Sequence, residues 1–212
     1  MVAWVDSIAE SPTVLSEDTA DRNPLKQFAR WYDDAVAAGE ILPEAMTLAT
    51  STRSGEPSAR MVLLRGFDEH GFGFFTNYDS QKGQELAENP RAALVLYWPK
   101  LARQVRIGGA VVRQSADESR AYFQSRPLAS QLSAWASPQS QVIANRGVLE
   151  DAVAALAEKY GEGPAPLPPN WGGYRVIPQR IEFWLHRDNR LHDRIRYRRL
   201  ADGSWRIERL GP

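Results

Sequence analysis

At Ala45 the spacing of apolar residues changes from the helical to the strand period, and this constrains the fold more than any other feature of the chain. Ahead of it, Leu25, Phe28, Trp31, Tyr32, Ala35 and Val36 recur at helical intervals, opened by Asn23-Pro24 and stopped by Gly39. Beyond it, Met46-Thr47-Leu48-Ala49-Thr50 alternates with period two, turns at Arg53-Ser54-Gly55-Glu56 and returns from Ala59 to Leu64. A parallel sheet needs a helix after nearly every strand; here hairpin turns take that place.

The later runs extend the pattern. Asp68-Glu69-His70-Gly71 turns into a strand carrying Phe72, Phe74 and Phe75, and Asp79 or Ser80 caps a short helix through Glu88. Strands follow at Ala92–Trp98 and Gln104–Arg113, then a capping box at Ser115-Ala-Asp-Glu118 opens a helix to Gln124. Further helices are expected from Pro127 to Trp135 and from Val148 to Tyr160, and residues 163–169 form a proline-rich, stiff connector. Gly173–Ile177, Arg180–His186, Ile195–Leu200 and Trp205–Leu210 complete a set of about six to eight mostly antiparallel strands. The expected class is mainly β with added helices, a barrel with helical insertions. Residues 1–22 read as a flexible arm and residues 23–212 as one domain.

Composition narrows the chemistry. With 43% hydrophobic and 25% charged residues the chain is globular, and its longest apolar run suits a buried strand, well short of the ~18 residues of a membrane span. The N-terminus lacks the basic-then-apolar order of a secretory signal, so a cytoplasmic protein is expected. The absence of cysteine excludes disulfides, thiolate nucleophiles and cysteine-bound zinc. Lys+Arg and Asp+Glu balance at 26 each, which gives no electrostatic case for nucleic acid. Of those 26 cations, 22 are arginine, whose planar fork matches phosphate and carboxylate. The phosphate loop GxxxxGK, HExxH and GxSxG motifs are missing, and Gly71-Phe-Gly73 lacks the third glycine of a dinucleotide fingerprint. His186 and His192 lie near Asp188 and Asp193 without metal-ligand spacing, so no metal is expected.

What remains is a set of phosphate-competent groups: Arg60 and Arg65 flanking Met61-Val62-Leu63-Leu64, Lys82 at a helix start after Ser80-Gln81, Gln104, and then Arg126 and Ser130. Arg60 and Arg65, five apart, leave a regular strand on opposite faces, so one phosphate is not expected to hold both alike. Arg126 and Ser130, four apart at a helical start, can face one phosphate.

At these residues the chain resembles the pyridoxamine 5′-phosphate oxidase family of FMN-dependent split-barrel enzymes. The resemblance is carried by Arg60-Met-Val-Leu-Leu-Arg65, Phe74-Phe-Thr-Asn77, Ser80-Gln-Lys82, Arg103-Gln-Val105, Tyr122-Phe-Gln-Ser-Arg126-Pro and Ser130-Gln-Leu-Ser-Ala-Trp135. It continues through Gln139-Ser140, Trp171-Gly-Gly-Tyr174, Glu182-Phe-Trp184, Arg190-Leu-His-Asp-Arg194 and Arg209-Leu-Gly-Pro212. It implies an FMN-binding split β-barrel and a homodimer with FMN at the interface, touched by both chains. Arg60, Lys82, Gln139 and Ser140 would hold the phosphate and ribityl chain, with Gln81 beside them. Met61, Val62, Leu63, Leu64, Phe75 and Thr76 would lie along the flavin, and Gln104, Trp171 and Arg194 would contact its ring. Arg65, Tyr122, Arg126 and Ser130 would bind the phosphate of a pyridine substrate. Arg190 and His192, two apart on an extended segment, would meet its ring as the catalytic pair.

The implied reaction oxidises pyridoxamine and pyridoxine 5′-phosphates to pyridoxal 5′-phosphate, with hydride passing to flavin N5 and O2 reduced to hydrogen peroxide. Three departures stand out. The family usually has Lys at the position of Arg65 and Arg at that of Gln81, and residues 1–22 lack the Arg-x-x-Tyr segment that closes over substrate in vitamin-pathway members. Two alternatives are an FMN-dependent oxidase of phenazine-biosynthesis type acting on another aromatic substrate, and a flavin- or pyridoxal-phosphate-binding carrier without turnover.

Overall fold

A computed structural model describes residues 14–161 and 163–212. The helix expected after Asn23 forms as α1 (Pro24–Ala37), with the Asn23 side chain accepting from the backbone N–H groups of Leu25 and Lys26. Phe28, Trp31 and Ala35 turn one face of α1 into the core. There Phe28 meets Phe72 edge-on at 4.9 Å and Trp31 meets Phe183 at 5.1 Å.

The strands are β1 (Ala45–Ser51), β2 (Pro57–Leu63), β3 (Phe67–Asp68), β4 (Gly71–Asn77), β5 (Arg91–Trp98), β6 (Arg103–Arg113), β7 (Trp171–Leu185), β8 (Asp193–Arg199) and β9 (Trp205–Arg209). They form one nine-stranded sheet in which every pairing is antiparallel, in the order β2-β1-β5-β6-β7-β4-β3, with β8 and β9 added on β7. The mainly β class is as the sequence indicates. The sheet path is not closed, but past the end of β2 two backbone bonds tie Arg65 and Gly66 to Gly73 of β4, both at 2.8 Å.

The sheet branches at β7. Its first half pairs with β4 and its second half with β8, while β6 pairs along its other edge from Tyr174 to Leu185. The sequence suggests two strands here, broken at Pro178, and the structure joins them. Pro178 stands opposite Gly109 where the β6–β7 register shifts, so its missing N–H interrupts nothing. A Cβ on Gly109 would lie 1.9 Å from the Ile177 carbonyl oxygen, so only glycine lets the strands approach there.

Helices α2 (Gln81–Glu88), α3 (Ala116–Ser125), α4 (Leu128–Ala136) and α5 (Gly147–Tyr160) are inserted between strands. Ser80 caps α2, and the capping box of Ser115 and Glu118 forms at the start of α3. Phe123, Leu132 and Trp171 build a second core under α3 and α4. The proline-rich connector is pinned to α4: Trp135 Nε1 donates to the Pro166 carbonyl at 2.6 Å, and Gln131 Oε1 accepts from Ala165 N–H at 3.0 Å.

Of the arm expected over residues 1–22, the described part, residues 14–22, packs onto the domain. Leu15 and Ala20 are buried in the main core, Arg209 pairs with Glu17, and the Tyr197 hydroxyl donates to the Asp21 carbonyl at 2.7 Å. Two apolar side chains and an ion pair offset the ordering entropy that a polar composition alone would leave uncompensated. Residues 1–13 lie outside the described residues.

Candidate active site

A cavity of about 570 Å³ opens between β2, β4, α2 and the α3–α4 corner. Arg60, Met61, Val62 and Leu63 of β2 form one wall, Phe75 and Thr76 of β4 another, and Lys82 closes one side. Arg65, Tyr122, Arg126, Ser130, Gln139 and Trp171 complete it, together with Ser125 and Pro127. The last two carry no sequence signal of a site; they belong because Pro127 ends α3 and opens α4, folding Tyr122, Arg126 and Ser130 around one corner.

Arg60 and Arg65, expected on opposite faces, both line this cavity, as do the consecutive Met61, Val62 and Leu63 between them. The strand ends at Leu63, so alternation does not carry through to Arg65. Five residues of chain set their Cα atoms at most about 17 Å apart. Each has a different cationic neighbour: Arg60 acts on Lys82, and Arg65 on Arg126. The cavity thus carries two cation pairs.

Lys82 is 8% exposed, and its ammonium donates to three neutral oxygens, Gln139 Oε1 at 2.8 Å and the Thr76 and Ser80 hydroxyls at 3.3 Å. Burial first, then the Arg60 charge, pulls its pKa from 10.5 down to about 8, against a partial offset from Glu85. At the other pair, the Arg126 guanidinium lies 5.0 Å from the Trp171 ring centre, and its buried Nη1 has no hydrogen-bond partner. Burial and Arg65 both lower its pKa. A buried donor left unsatisfied costs about 1–3 kcal/mol, which an anion entering the cavity would recover. Between the pairs stand three nearly parallel rings: Phe75 stacks on Tyr122 at 4.0 Å and on Trp171 at 5.5 Å. Such a wall suits a flat aromatic ligand.

Leu64, Gln81 and Ser140 stand outside this lining. Leu64 is buried in the main core, Gln81 Nε2 donates to Glu85 at 2.9 Å, and Ser140 holds a left-handed φ of 69° next to Gln139. Gln104, Arg190, His192 and Arg194 form a second group elsewhere in the chain. Gln104 sits opposite Trp184 across β6 and β7, and Trp184 sits opposite Arg194 across β7 and β8. The His192 ring lies 4.6 Å from Trp184 and 5.1 Å from His186. Its Nδ1 accepts from Arg187 N–H at 3.1 Å, so a neutral His192 carries its proton on Nε2. Burial, His186 and Arg190 together depress its pKa. Arg194 is held by Glu182 at 2.8 Å and by the Gly211 carbonyl at 2.8 Å. Arg190 does not continue the extended segment expected for it; it follows Asn189 in a short 3-10 turn, both residues at left-handed φ. Trp184 was not among the expected site residues, and cross-strand register is what places it between Gln104 and Arg194.

Within the chain, none of Gln104, Arg190, His192 and Arg194 lines the cavity. Met61, which lines the cavity, is 63% exposed, and Tyr97, opposite Gln104, is 52% exposed. Among the described residues no helix is long and apolar enough to cross a membrane.

Comparison with known proteins identifies the family. A family model described as pyridoxamine 5′-phosphate oxidase matches residues 32–160, and one described as the pyridoxine 5′-phosphate oxidase C-terminal dimerisation region matches residues 171–212. A pyridoxine/pyridoxamine 5′-phosphate oxidase of Trichormus variabilis is 58% identical over 198 residues, covering 93% of this chain and 92% of its own length. One from Ralstonia nicotianae, numbered 1, is 56% identical over 192 residues, covering 91% and 90%. The crystal structure of PhzG from Burkholderia lata in complex with tetrahydrophenazine-1-carboxylic acid superposes with a TM-score of 0.89 at 32% identity, covering 95% of this chain and all of that one. With both halves of the chain matched and relatives more than half identical along nearly its full length, the chain belongs to the pyridoxamine 5′-phosphate oxidase family and is an oxidase of that type.

Proposed function

We propose that the chain oxidises pyridoxamine 5′-phosphate and pyridoxine 5′-phosphate to pyridoxal 5′-phosphate, with FMN as cofactor and O2 as final acceptor. One observation carries this: two cation pairs on one cavity, each able to take a phosphate, separated by an aromatic wall. A flavin mononucleotide and a phosphorylated pyridine need two such anion sites and one flat surface. The buried Lys82, bonded to neutral oxygens, and the unpartnered Arg126 Nη1 fit that demand.

In this assignment Arg60 and Lys82 hold the cofactor phosphate, with Gln139, Ser140 and Gln81 beside them. Met61, Val62, Leu63, Phe75 and Thr76 lie along its length, and Trp171 contributes to the ring wall; Leu64, buried in the main core, only backs this strand. Bound there, FMN would supply a two-electron acceptor for the substrate's hydride, with O2 and protons as the final sink giving hydrogen peroxide. Arg65, Arg126, Ser130 and Tyr122 anchor the substrate phosphate and so fix the distance of the reacting carbon. Arg190 and His192 orient the pyridine ring, with His192 donating from Nε2. Arg194 and Gln104 would set a cation and an amide beside the flavin ring system, groups of the kind that favour a negatively charged ring.

Within one chain these last four stand apart from the cavity, so the site needs a second copy. Exposed Met61 and Tyr97, together with the match to a dimerisation region, support a homodimer in which each cavity is completed by the partner. The likeness to PhzG keeps a phenazine-type substrate as the second reading. Anaerobic addition of pyridoxamine 5′-phosphate to the FMN-loaded protein is expected to bleach the flavin, and air to restore it with peroxide. Unchanged colour, with bleaching by a dihydrophenazine carboxylate, would select the second reading.

A further inference from the structure

Glu85, on α2, is a buried carboxylate that the proposed reaction does not use. Its side chain is 6% exposed, and it lies against the Arg60–Lys82 pair. Oε1 accepts from the Ser58 hydroxyl at 2.7 Å and from Gln81 Nε2 at 2.9 Å. Oε2 accepts from the Thr50 hydroxyl, from the Ser58 hydroxyl at 2.7 Å and from Arg60 Nη2 at 3.2 Å. Arg60 also donates to the Thr50 hydroxyl and, at 2.6 Å, to that of Ser58. The Nη side of its guanidinium is therefore engaged by the β1–β2 hairpin and Glu85.

We propose that Glu85 is a built-in counter-anion, a positioning residue that holds Arg60 while the cofactor phosphate is away and competes with that phosphate for it. The inference rests on the assignment of this end of the cavity to the FMN phosphate. Arg60 is the longest of the Glu85 contacts, and Thr50, Ser58 and Gln81 keep the carboxylate satisfied if Arg60 turns toward a phosphate. Burial tends to raise the Glu85 pKa, but hydrogen bonds from Ser58, Thr50 and Gln81 and the Arg60 charge hold it below the ordinary range, so it is an anion at neutral pH. A carboxylate fixed beside two cations stabilises the free state and repels an incoming dianion. Both effects lower cofactor affinity, because whatever favours the free state is subtracted from binding.

The charged groups facing this carboxylate are Arg60 from β2 and Lys82 from α2; Thr50, Ser58 and Gln81 are neutral. Since Glu85 also supports the charge on Lys82, the comparison is made at pH 6.5, where Lys82 is protonated.

The test is titration of FMN and of riboflavin, which lacks the phosphate, into cofactor-free protein, read by quenching of flavin fluorescence. Glu85→Gln keeps the shape and removes the charge. It should bind FMN at least about fivefold more tightly than wild type at pH 6.5 and riboflavin equally well, and should lose FMN at a lower alkaline pH. Glu85→Ala serves if the isosteric variant does not fold and should act in the same direction; unchanged riboflavin binding certifies the fold. FMN affinity unchanged or weakened, with riboflavin binding intact, overturns the role of Glu85. Equal affinity of wild type for FMN and riboflavin would instead overturn the phosphate assignment itself.

Discussion

Gln139 Oε1 accepts a hydrogen bond from the Lys82 ammonium at 2.8 Å, bringing the loop after α4 onto the first turn of α2. The same oxygen takes the Thr76 hydroxyl at 3.0 Å, so three distant segments converge on one buried cation whose close partners are all uncharged. That arrangement sets the first expectation. In the cofactor-free protein Lys82 has a pKa of about 8 against 10.5 when unfolded. Between those values the unfolded chain keeps a proton that the folded one has lost, so this group makes folding more favourable as pH rises from 8 to 10.5. The gain is roughly 3 kcal/mol at most. Urea unfolding of wild type and Lys82→Met at pH 7.5 and pH 10 isolates it: the difference between the two proteins should change in favour of wild type at the higher pH, and saturation with FMN should flatten it. A constant difference would show that Lys82 is not desolvated.

Arg126→Met should separate substrate from cofactor. The methionine keeps packing over Trp171, but the buried donor and its charge are gone. We expect KM for pyridoxamine 5′-phosphate to rise by about 10- to 100-fold, with FMN affinity unchanged and the melting temperature of the free protein no lower than wild type. Loss of flavin with the substitution would mean that the two anion sites have been interchanged.

Much of the fold was legible because its signals are local. The Asn23 cap, the hairpins at Gly55 and Gly71 and the Ser115–Glu118 box each depend on residues within a few positions of one another, and each forms as its sequence indicates. The misread features depend on distant partners. Pro178 looks like the end of a strand until Gly109, on a strand far upstream, is seen to face it at a bulge. Residues 14–22 look solvated because their polar composition does not reveal that Leu15 has a place in the core. The cations of the cavity were legible as phosphate-binding types, yet their grouping into Arg60 with Lys82 and Arg65 with Arg126 depends on where β2 stops.

Leu15→Ala tests the docking of that segment. The side chain is 5% exposed in the main core, and a buried leucine truncated to alanine typically costs 2–5 kcal/mol; a segment end that can relax should fall near about 2 kcal/mol. Chemical denaturation should show this loss without a change in FMN affinity. A difference below about 0.5 kcal/mol would return these residues to the status of a free arm.

Gly83→Ala should disturb the cofactor site through packing alone. A Cβ at residue 83 would lie 2.1 Å from the Tyr78 carbonyl oxygen, and backbone, unlike a flexible side chain, cannot swing away. The first turn of α2 must then lift from the β4–α2 loop, taking Lys82 with it. We expect a loss of at least about 2 kcal/mol in stability and a parallel drop in FMN affinity, whereas Gly203→Ala, with open space around its Cβ position but a left-handed φ of 85°, should cost stability and leave FMN binding unaltered. Equal cofactor affinity in Gly83→Ala and wild type would detach Lys82 from the phosphate.

The division of the site between two copies can be tested by complementation. Arg126 lines the cavity, whereas Arg190 lies in the β7–β8 turn away from it. If the partner supplies Arg190, Arg126→Ala and Arg190→Ala homodimers are each defective at both sites. A dimer with one chain of each kind has one site carrying both defects and one carrying neither. Random reassociation of equal amounts makes half of the dimers mixed, so at substrate concentrations too low for either variant to turn over appreciably, about a quarter of wild-type activity should return when the two impaired proteins are denatured and refolded together. Simple mixing of folded dimers should recover less until subunits exchange. No recovery after co-refolding, with dimers demonstrated by sedimentation, would place Arg126 and Arg190 in the same site of one chain and require the β7–β8 turn to move toward the cavity instead.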